Sequence, residues 1–203
     1  AEAALLQSQE RNRAIVDTAY DGVITLDSTG IVTDWNPQAT AIFGWSREEV
    51  LGRVFSETII SDQDRQVYEQ GISEFLRTGT GAILNRRIEI VARHRDGREI
   101  PVELAVSSAK IGEAHIFSAF VRDITDRRRA EHRLASQYAV TRVLSEATTL
   151  EEAVPKIIQA IGESLEWDLG LFWRVDKGGG VLRCFDQWNA PSIQADPFTS
   201  DAW

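Results

Sequence analysis

The sequence predicts an α+β fold in which helices are inserted between the two halves of one antiparallel sheet. Two short β-branched runs stand together at "GVITLDSTGIVTDWN", and three more alternating runs follow between residues 85 and 125. The stretch between them is helical in pattern, punctuated by Gly and Pro. Composition agrees: of 203 residues, 43% are apolar and 26% charged, ordinary for a chain that buries a core.

The elements follow in order. Residues 2–16 carry helix formers with Leu5, Leu6, Ile15 and Val16 and no Gly or Pro, which predicts a leading helix; the boundary with the next domain is placed after residue 12. The first hairpin turns at Asp27-Ser28-Thr29-Gly30. Asn36-Pro37 starts a helix, since Pro is pre-set for the first helical position. "QATAIFGWSREEVLG" reads as two short helices, the second opened by a capping box of Ser46 and Glu49. Asp62 to Leu76 spaces Val67, Tyr68, Ile72, Phe75 and Leu76 for an amphipathic helix, with Gly79 to end it. Arg95-Asp96-Gly97 turns the next hairpin, and "HIFSAFVRDIT" closes the set. Pro101 suits an edge or a bulge. The order is β-β-α-α-α-β-β-β.

The second half is different. From Asp126 to about Ala147 the pattern is helical and rich in arginine, with Ala130, Leu134, Thr141 and Leu144 near a heptad seam that Gln137 interrupts. Thr149 is placed to cap a further helix carrying Val154, Ile157, Ile158, Ile161 and Leu165, with Pro155 in its first turn. "DLGLFWRVDKGGGVLRCFDQW" is a hairpin with Leu169, Leu171, Trp173 and Val175 on one face. "NAPSIQADPFTSDAW" has no sustained period.

Charge and cysteine content exclude several functions. The net charge of −9 divides into −7 over 1–126, +3 over 127–137 and −5 over 138–203, so the one basic cluster is a short segment between acidic blocks. Nucleic-acid binders present a basic face, and none is expected here. No apolar run has the length of a membrane span. One cysteine, Cys184, rules out an internal disulfide and suits a reducing, cytoplasmic setting. The absence of methionine is read as a piece of a longer protein. His94, His115 and His132 lie far apart in sequence, giving no support for a metal site. Gly178-Gly179-Gly180 is a turn, lacking the Lys-Ser/Thr of a phosphate loop. The acidic pairs Asp62/Asp64 and Glu151/Glu152 sit at helix starts, where the helix dipole favours them without catalysis. Nothing in the residues argues for an enzyme.

"DGVITLDSTGIVTDWNPQATAIFGWSREEVLG", then "RHRDGREIPVEL" and "FVRDIT", closely resemble the PAS sensory fold over about residues 13–125. Residues 138–203 include a stretch, 138–188, that resembles the opening helix pair and hairpin of a GAF domain, with 126–137 as a helical linker. The resemblance implies a five-stranded antiparallel sheet cupping a helical pocket, with Tyr68, Ile72, Phe75, Ile88, Ile90, Leu104, Phe117 and Ala119 as candidate lining. It implies a sensory and dimerisation region of a signalling protein, typically a sensor histidine kinase. Alternatives are a PAS scaffold whose cup is filled by Phe75, Leu76, Ile88, Ile90, Phe117 and Ala119, or the regulatory region of a cyclic-dinucleotide enzyme.

Cofactors are weighed on the same resemblance. "FSETIISDQDR" lacks the cysteine of flavin-adduct photosensors. Tyr68 stands where haem-binding members place their axial histidine, and Trp35 with Asn36 could serve a flavin ring; the expectation is no cofactor, and a small-molecule ligand instead. His132, followed by Arg-Leu-Ala, lacks the setting of a kinase phospho-acceptor. Asp123-Ile124-Thr125 resembles the family's exit motif, so Asp123, Thr125 and Asp126 are the candidate signal-transfer residues, with Thr125 or Asp126 capping the next helix. A homodimer through 1–16 and 126–147 is expected. Residues 138–203 are expected to be poorly ordered or held by a second copy, because a two-stranded hairpin with one or two helices is marginal alone.

Overall fold

The computed structural model describes residues 2–78, 84–112, 114–176 and 178–193. It divides into two compact units, residues 1–125 and 126–203.

In the first unit, α1 (Glu2–Asp17) precedes β1 (Gly22–Leu26) and β2 (Val32–Trp35). Four helices follow: α2 (Pro37–Phe43), α3 (Arg47–Val50), α4 (Phe55–Thr58) and α5 (Asp62–Thr78). Strands β3 (Arg87–Arg93), β4 (Glu99–Ile111) and β5 (Ala114–Asp123) complete one antiparallel sheet in the order β2-β1-β5-β4-β3. The two halves meet where β1 pairs with β5, Ile24 opposite Ala119.

Three details differ from the sequence reading. The leading helix, read over 2–16, runs to Asp17, so the boundary placed after residue 12 falls inside it. A fourth inserted helix, α4, is a single turn with no side-chain cap, so it carried no start signal. Pro101 lies on an inner strand, opposite Val91 of β3. A residue's N and C=O point to the same side of a strand, and the Pro101 carbonyl accepts from Ile124 N at 3.1 Å. Its missing N–H therefore faces the point where the β4–β5 ladder, whose last pair is Val102 and Asp123, has already ended. Gly79, expected to stop α5, lies outside the described residues.

Turn chemistry follows the residues quoted. Asp27 Oδ1 accepts from Thr29 N, Thr29 Oγ1 and Ile31 N at 2.6–3.0 Å, and Gly30 supplies the left-handed residue. Ser46 and Glu49 form the reciprocal capping box. The interior of the sheet packs Ile24, Leu26, Leu104, Val106, Phe117 and Ala119 against Trp35, Phe43 and Phe55 from the helical side.

In the second unit, α6 (Thr125–Glu146, its first residue belonging to the first unit) is followed by α7 (Leu150–Leu165) and the hairpin β6 (Leu169–Asp176) and β7 (Val181–Asn189). Thr149 Oγ1 caps α7 by accepting from Glu152 N at 3.2 Å. Pro155 is the sixth residue of α7 rather than part of its first turn, so the helix forgoes the bond to the Glu151 carbonyl. Leu169, Trp173 and Val175 are exposed, and a register shift at Phe172/Trp173 interrupts the ladder. The opposite face meets α7 closely: a Cβ on Gly170 would lie 2.4 Å from Ile158, and one on Gly162 2.1 Å from the Trp188 ring.

Candidate functional site

Helix α5 turns its apolar stripe toward the sheet, with Tyr68 and Gly71 buried and Ile72 and Phe75 packed against the core. Tyr68 lies in the wall of two cavities. One, of about 290 Å³, is an open groove bounded by the β1–β2 turn, α4, α5 and Phe117 of β5. The other, about 40 Å³ and enclosed, lies among Ile60, Asp64, Val67, Ile88, Ile90 and Leu104. Of the eight residues expected to line a pocket, Tyr68, Ile72 and Phe117 border the groove, and Tyr68, Ile88, Ile90 and Leu104 border the enclosed space. Phe75 and Ala119 border neither: Phe75 stacks edge-on to Phe117 at 5.6 Å, and Ala119 is wholly buried in the sheet. Sequence reasoning missed the polar rim of Ser28, Thr29, Ser56, Glu69 and Ser73. These residues sit in a turn and on the polar side of helices, where solvated side chains are the default.

The electrostatics of the cavities are one-sided. Among the described residues no Arg, Lys or His lines either, whereas Glu69 borders the groove and Asp64 the enclosed space. Glu69 Oε1 accepts from Ser56 Oγ at 2.8 Å, and Asp64 Oδ2 accepts from Val91 N at 3.2 Å. Tyr68 is 7% exposed and its hydroxyl has no partner among the described residues. Burial pushes that phenol well above its usual pKa, so it stays protonated and able to donate.

Trp35 and Asn36 are spoken for by their own chain. Trp35 is buried and its Nε1 donates to Thr40 Oγ1 at 3.0 Å. Asn36 Oδ1 accepts from Val23 N and Ala39 N, and its Nδ2 donates to the carbonyls of Val16 and Asp21, all within 2.8–3.1 Å. Every hydrogen-bonding position of the amide is used to tie the end of α1, the start of β1 and the cap of α2 together. Serving a flavin ring would break that clamp. His94 is largely covered: its side chain is 15% exposed, and its ring lies over Gly44, where a Cβ would be 2.4 Å from Nε2. Gly44 also ends α2 with φ 75°, so position 44 needs glycine twice over. His115 stacks edge-on to Phe75 at 6.1 Å. Among the described residues no group of three His, Cys, Asp or Glu is placed to hold a metal.

The exit from the sheet is built on Ile124, which is buried and bonded through its N–H to Pro101. Asp123 Oδ1 accepts from Thr125 N at 2.8 Å, so Asp123, rather than Thr125 or Asp126, satisfies the first free amide of α6. Asp126 is fully exposed, with Arg129 3.7 Å away. The neighbouring Arg122 forms a two-pronged bond with Asp21, at 2.8 and 3.0 Å, which joins the end of β5 to the segment after α1.

The profile of the PAS fold matches residues 10–124. This chain belongs to the PAS family. A protein described only as uncharacterised, from Azorhizobium caulinodans, is 44% identical over 133 residues, 64% of this chain and 18% of its own length. Sensor protein FixL of Bradyrhizobium diazoefficiens is 29% identical over 66% of this chain and 26% of its own. Cell-division control histidine kinase PdhS of Brucella anthropi is 33% identical over 66% of this chain and 12% of its own. The chain thus spans about a quarter or less of the length of these relatives. A PAS domain of a protein from Colwellia psychrerythraea superposes with a TM-score of 0.51 at 18% identity, covering 58% of this chain and 98% of that one, a likeness of fold alone.

Proposed function

We propose that this chain is the sensory region of a signal-transduction protein of the sensor histidine kinase kind, in which a small molecule in the PAS groove alters the helix that follows the sheet. One observation carries the reading: β5 holds both Phe117, in the wall of the groove, and Asp123, which closes the turn into α6. A ligand that displaces Phe117 acts on the strand whose end, six residues on, sets the first turn of α6, an element able to shift between packings. The similarity of the PAS region to FixL and PdhS supports the kinase parentage.

Dimerisation is part of the proposal. No residue of α1 is buried, and Leu5, Leu6 and Ile15 stand open. On α6 the heptad-spaced Leu134 and Leu144 are exposed. Most of a helix's stability in a protein comes from packing its apolar face, and a second copy supplies the missing apolar contact. Residues 138–203 are read as the opening of a GAF domain, on the order helix, helix, hairpin.

The test is native mass spectrometry of the purified chain together with a visible-absorbance scan. A co-purifying small mass supports the reading, a haem or flavin band replaces the ligand class, and an empty chain favours the scaffold alternative, to which the small enclosed volume lends weight. In the full-length parent, Asp123→Ala is expected to change output while leaving ligand affinity near wild type; unchanged output across the signal range removes the exit joint from the mechanism.

A further inference from the structure

Among the described residues three buried side-chain polar atoms lack a partner: Trp45 Nε1, Ser136 Oγ and the Tyr68 hydroxyl. Of these, only Tyr68 borders the groove and the enclosed space. A buried donor left unpaired is costly, so a molecule that enters the groove and shifts the Tyr68 ring enough to uncover its solvent-shielded hydroxyl gains by offering it an acceptor. The next residue on α5, Glu69, borders the same groove with a carboxylate, which asks for a donor. Ser28, Thr29, Ser56 and Ser73 complete the polar rim, and Ile72 and Phe117 supply apolar wall.

We propose that the groove selects an uncharged small molecule whose polar head presents an acceptor to Tyr68 and a donor to Glu69, as a primary carboxamide or an alcohol does, with its apolar body against Ile72 and Phe117. This rests on the ligand-sensing reading above and narrows it to a chemical class. An anion has the acceptor but meets Glu69 and Asp64, with no cationic side chain among the described residues lining either cavity to offset them. An ammonium has donors but no acceptor, and leaves the phenolic proton unmet. A neutral head that does both satisfies each group without bringing charge into a partly apolar site. The volume of about 290 Å³ lies at the lower edge of the roughly 300–1,000 Å³ typical of small-molecule sites.

The experiment is a titration of the ¹⁵N-labelled 203-residue chain with three probes of one length: hexanamide, hexanoate and hexylammonium. Hexanamide is expected to shift the amides around Tyr68 and Phe117, with hexanoate and hexylammonium about tenfold weaker or worse. Tyr68→Phe, which removes only the unpaired hydroxyl and should fold as wild type, is expected to weaken hexanamide about tenfold. Glu69→Gln keeps the site folded and is expected to improve hexanoate relative to hexanamide. If either charged probe binds as well as the amide, or Tyr68→Phe binds hexanamide with wild-type affinity, the neutral-head class is wrong while ligand sensing stands. If no probe shifts the groove and nothing co-purifies, the ligand-sensing reading falls, and this inference falls with it.

Discussion

Both units lay a helix on an antiparallel sheet, and they reach very different degrees of burial. In the PAS unit five strands support α5 and the three short helices, and Trp35, Phe43, Phe55 and Phe117 are each at most 2% exposed. In the second unit two strands support α7; among the described residues the apolar side chains buried there are Val143, Ala153 and Val154, while Leu169, Trp173, Val175 and Leu182 remain open. A sheet of three or more strands with one covered face is independently stable, and an isolated hairpin is marginal. The second unit compensates by proximity rather than by area. Gly162 and Gly170 let α7 and the hairpin approach until the helix backbone meets the Trp188 ring and Ile158 meets the strand. The PAS unit is thus held by side-chain volume, and the second by the absence of two side chains.

The largest effect expected from breaking this contrast is Phe43→Ala. Phe43 is fully buried and stacks on Trp35 at 5.6 Å, so truncation should destabilise the PAS unit by about 3–5 kcal/mol. Denaturant unfolding followed by residue-resolved NMR should show early loss of residues 22–123, with the hairpin signals at 169–189 keeping their own midpoint. Coincident loss of both would mean that the units unfold as one.

Next is Gly162→Ala, a favourable change in most helices but here an overpacking against a large ring. It should cost the second unit about 1–3 kcal/mol and raise amide exchange across the hairpin, leaving the PAS unit unchanged. In a Trp188→Ala background the same substitution should turn neutral or stabilising. If the penalty persisted there, the close approach would not be its cause.

Smaller still is the response to Tyr68→Phe in the ligand-free chain. Deleting an unpaired buried hydroxyl should stabilise the PAS unit by about 1 kcal/mol, read as a rise in Tm. A fall would mean that the hydroxyl has a hydrogen-bonded partner in solution.

The units also differed in how far the sequence disclosed them. In the PAS unit, side-chain signals tied to short range, such as the Ser46/Glu49 box, the Asn36-Pro37 start and the Asp27–Gly30 turn, located their elements because the chemistry that makes the turn is local. Helix α4 was missed because it has no cap, its single turn depending on long-range packing of Phe55 against Tyr68 at 5.5 Å. Ile124 passed as one more apolar residue in a motif, since its bond to Pro101 crosses from one strand end to another. At the groove, the periodicity of α5 pointed to Tyr68 and Ile72, but periodicity marks what is apolar. The polar rim comes from the turn and α4 closing over α5, and Glu69 joins that rim from a position that reads as solvent. In the second unit, alternation assigned Leu169, Leu171, Trp173 and Val175 to one face but could not say which face is covered. That is decided by Gly170 and Gly162, residues with no hydrophobic signal.

The smallest expected effect separates the units by pH. In the PAS unit, Glu49 and Asp96 are held below the usual carboxylate range mainly by backbone N–H bonds from Ser46 and Arg98 respectively. At Asp27, burial works upward but is outweighed by bonds from Thr29 and Ile31, so its value is lowered too. In the second unit Glu152 is lowered, chiefly by Lys156. A carboxylate whose folded pKa is depressed contributes stability in full above its unfolded value, about 4, and loses it as pH falls through the folded value. Acidification below about pH 4 should therefore weaken the PAS unit through three sites whose partners are largely fixed backbone amides. The second unit's site depends chiefly on a solvent-exposed, salt-screened lysine, so added salt should reduce its pH response and leave that of the PAS unit nearly intact. Asp27→Asn should flatten the acid limb of the PAS unit alone; an unchanged slope would show that the Asp27 turn gains nothing from its charge.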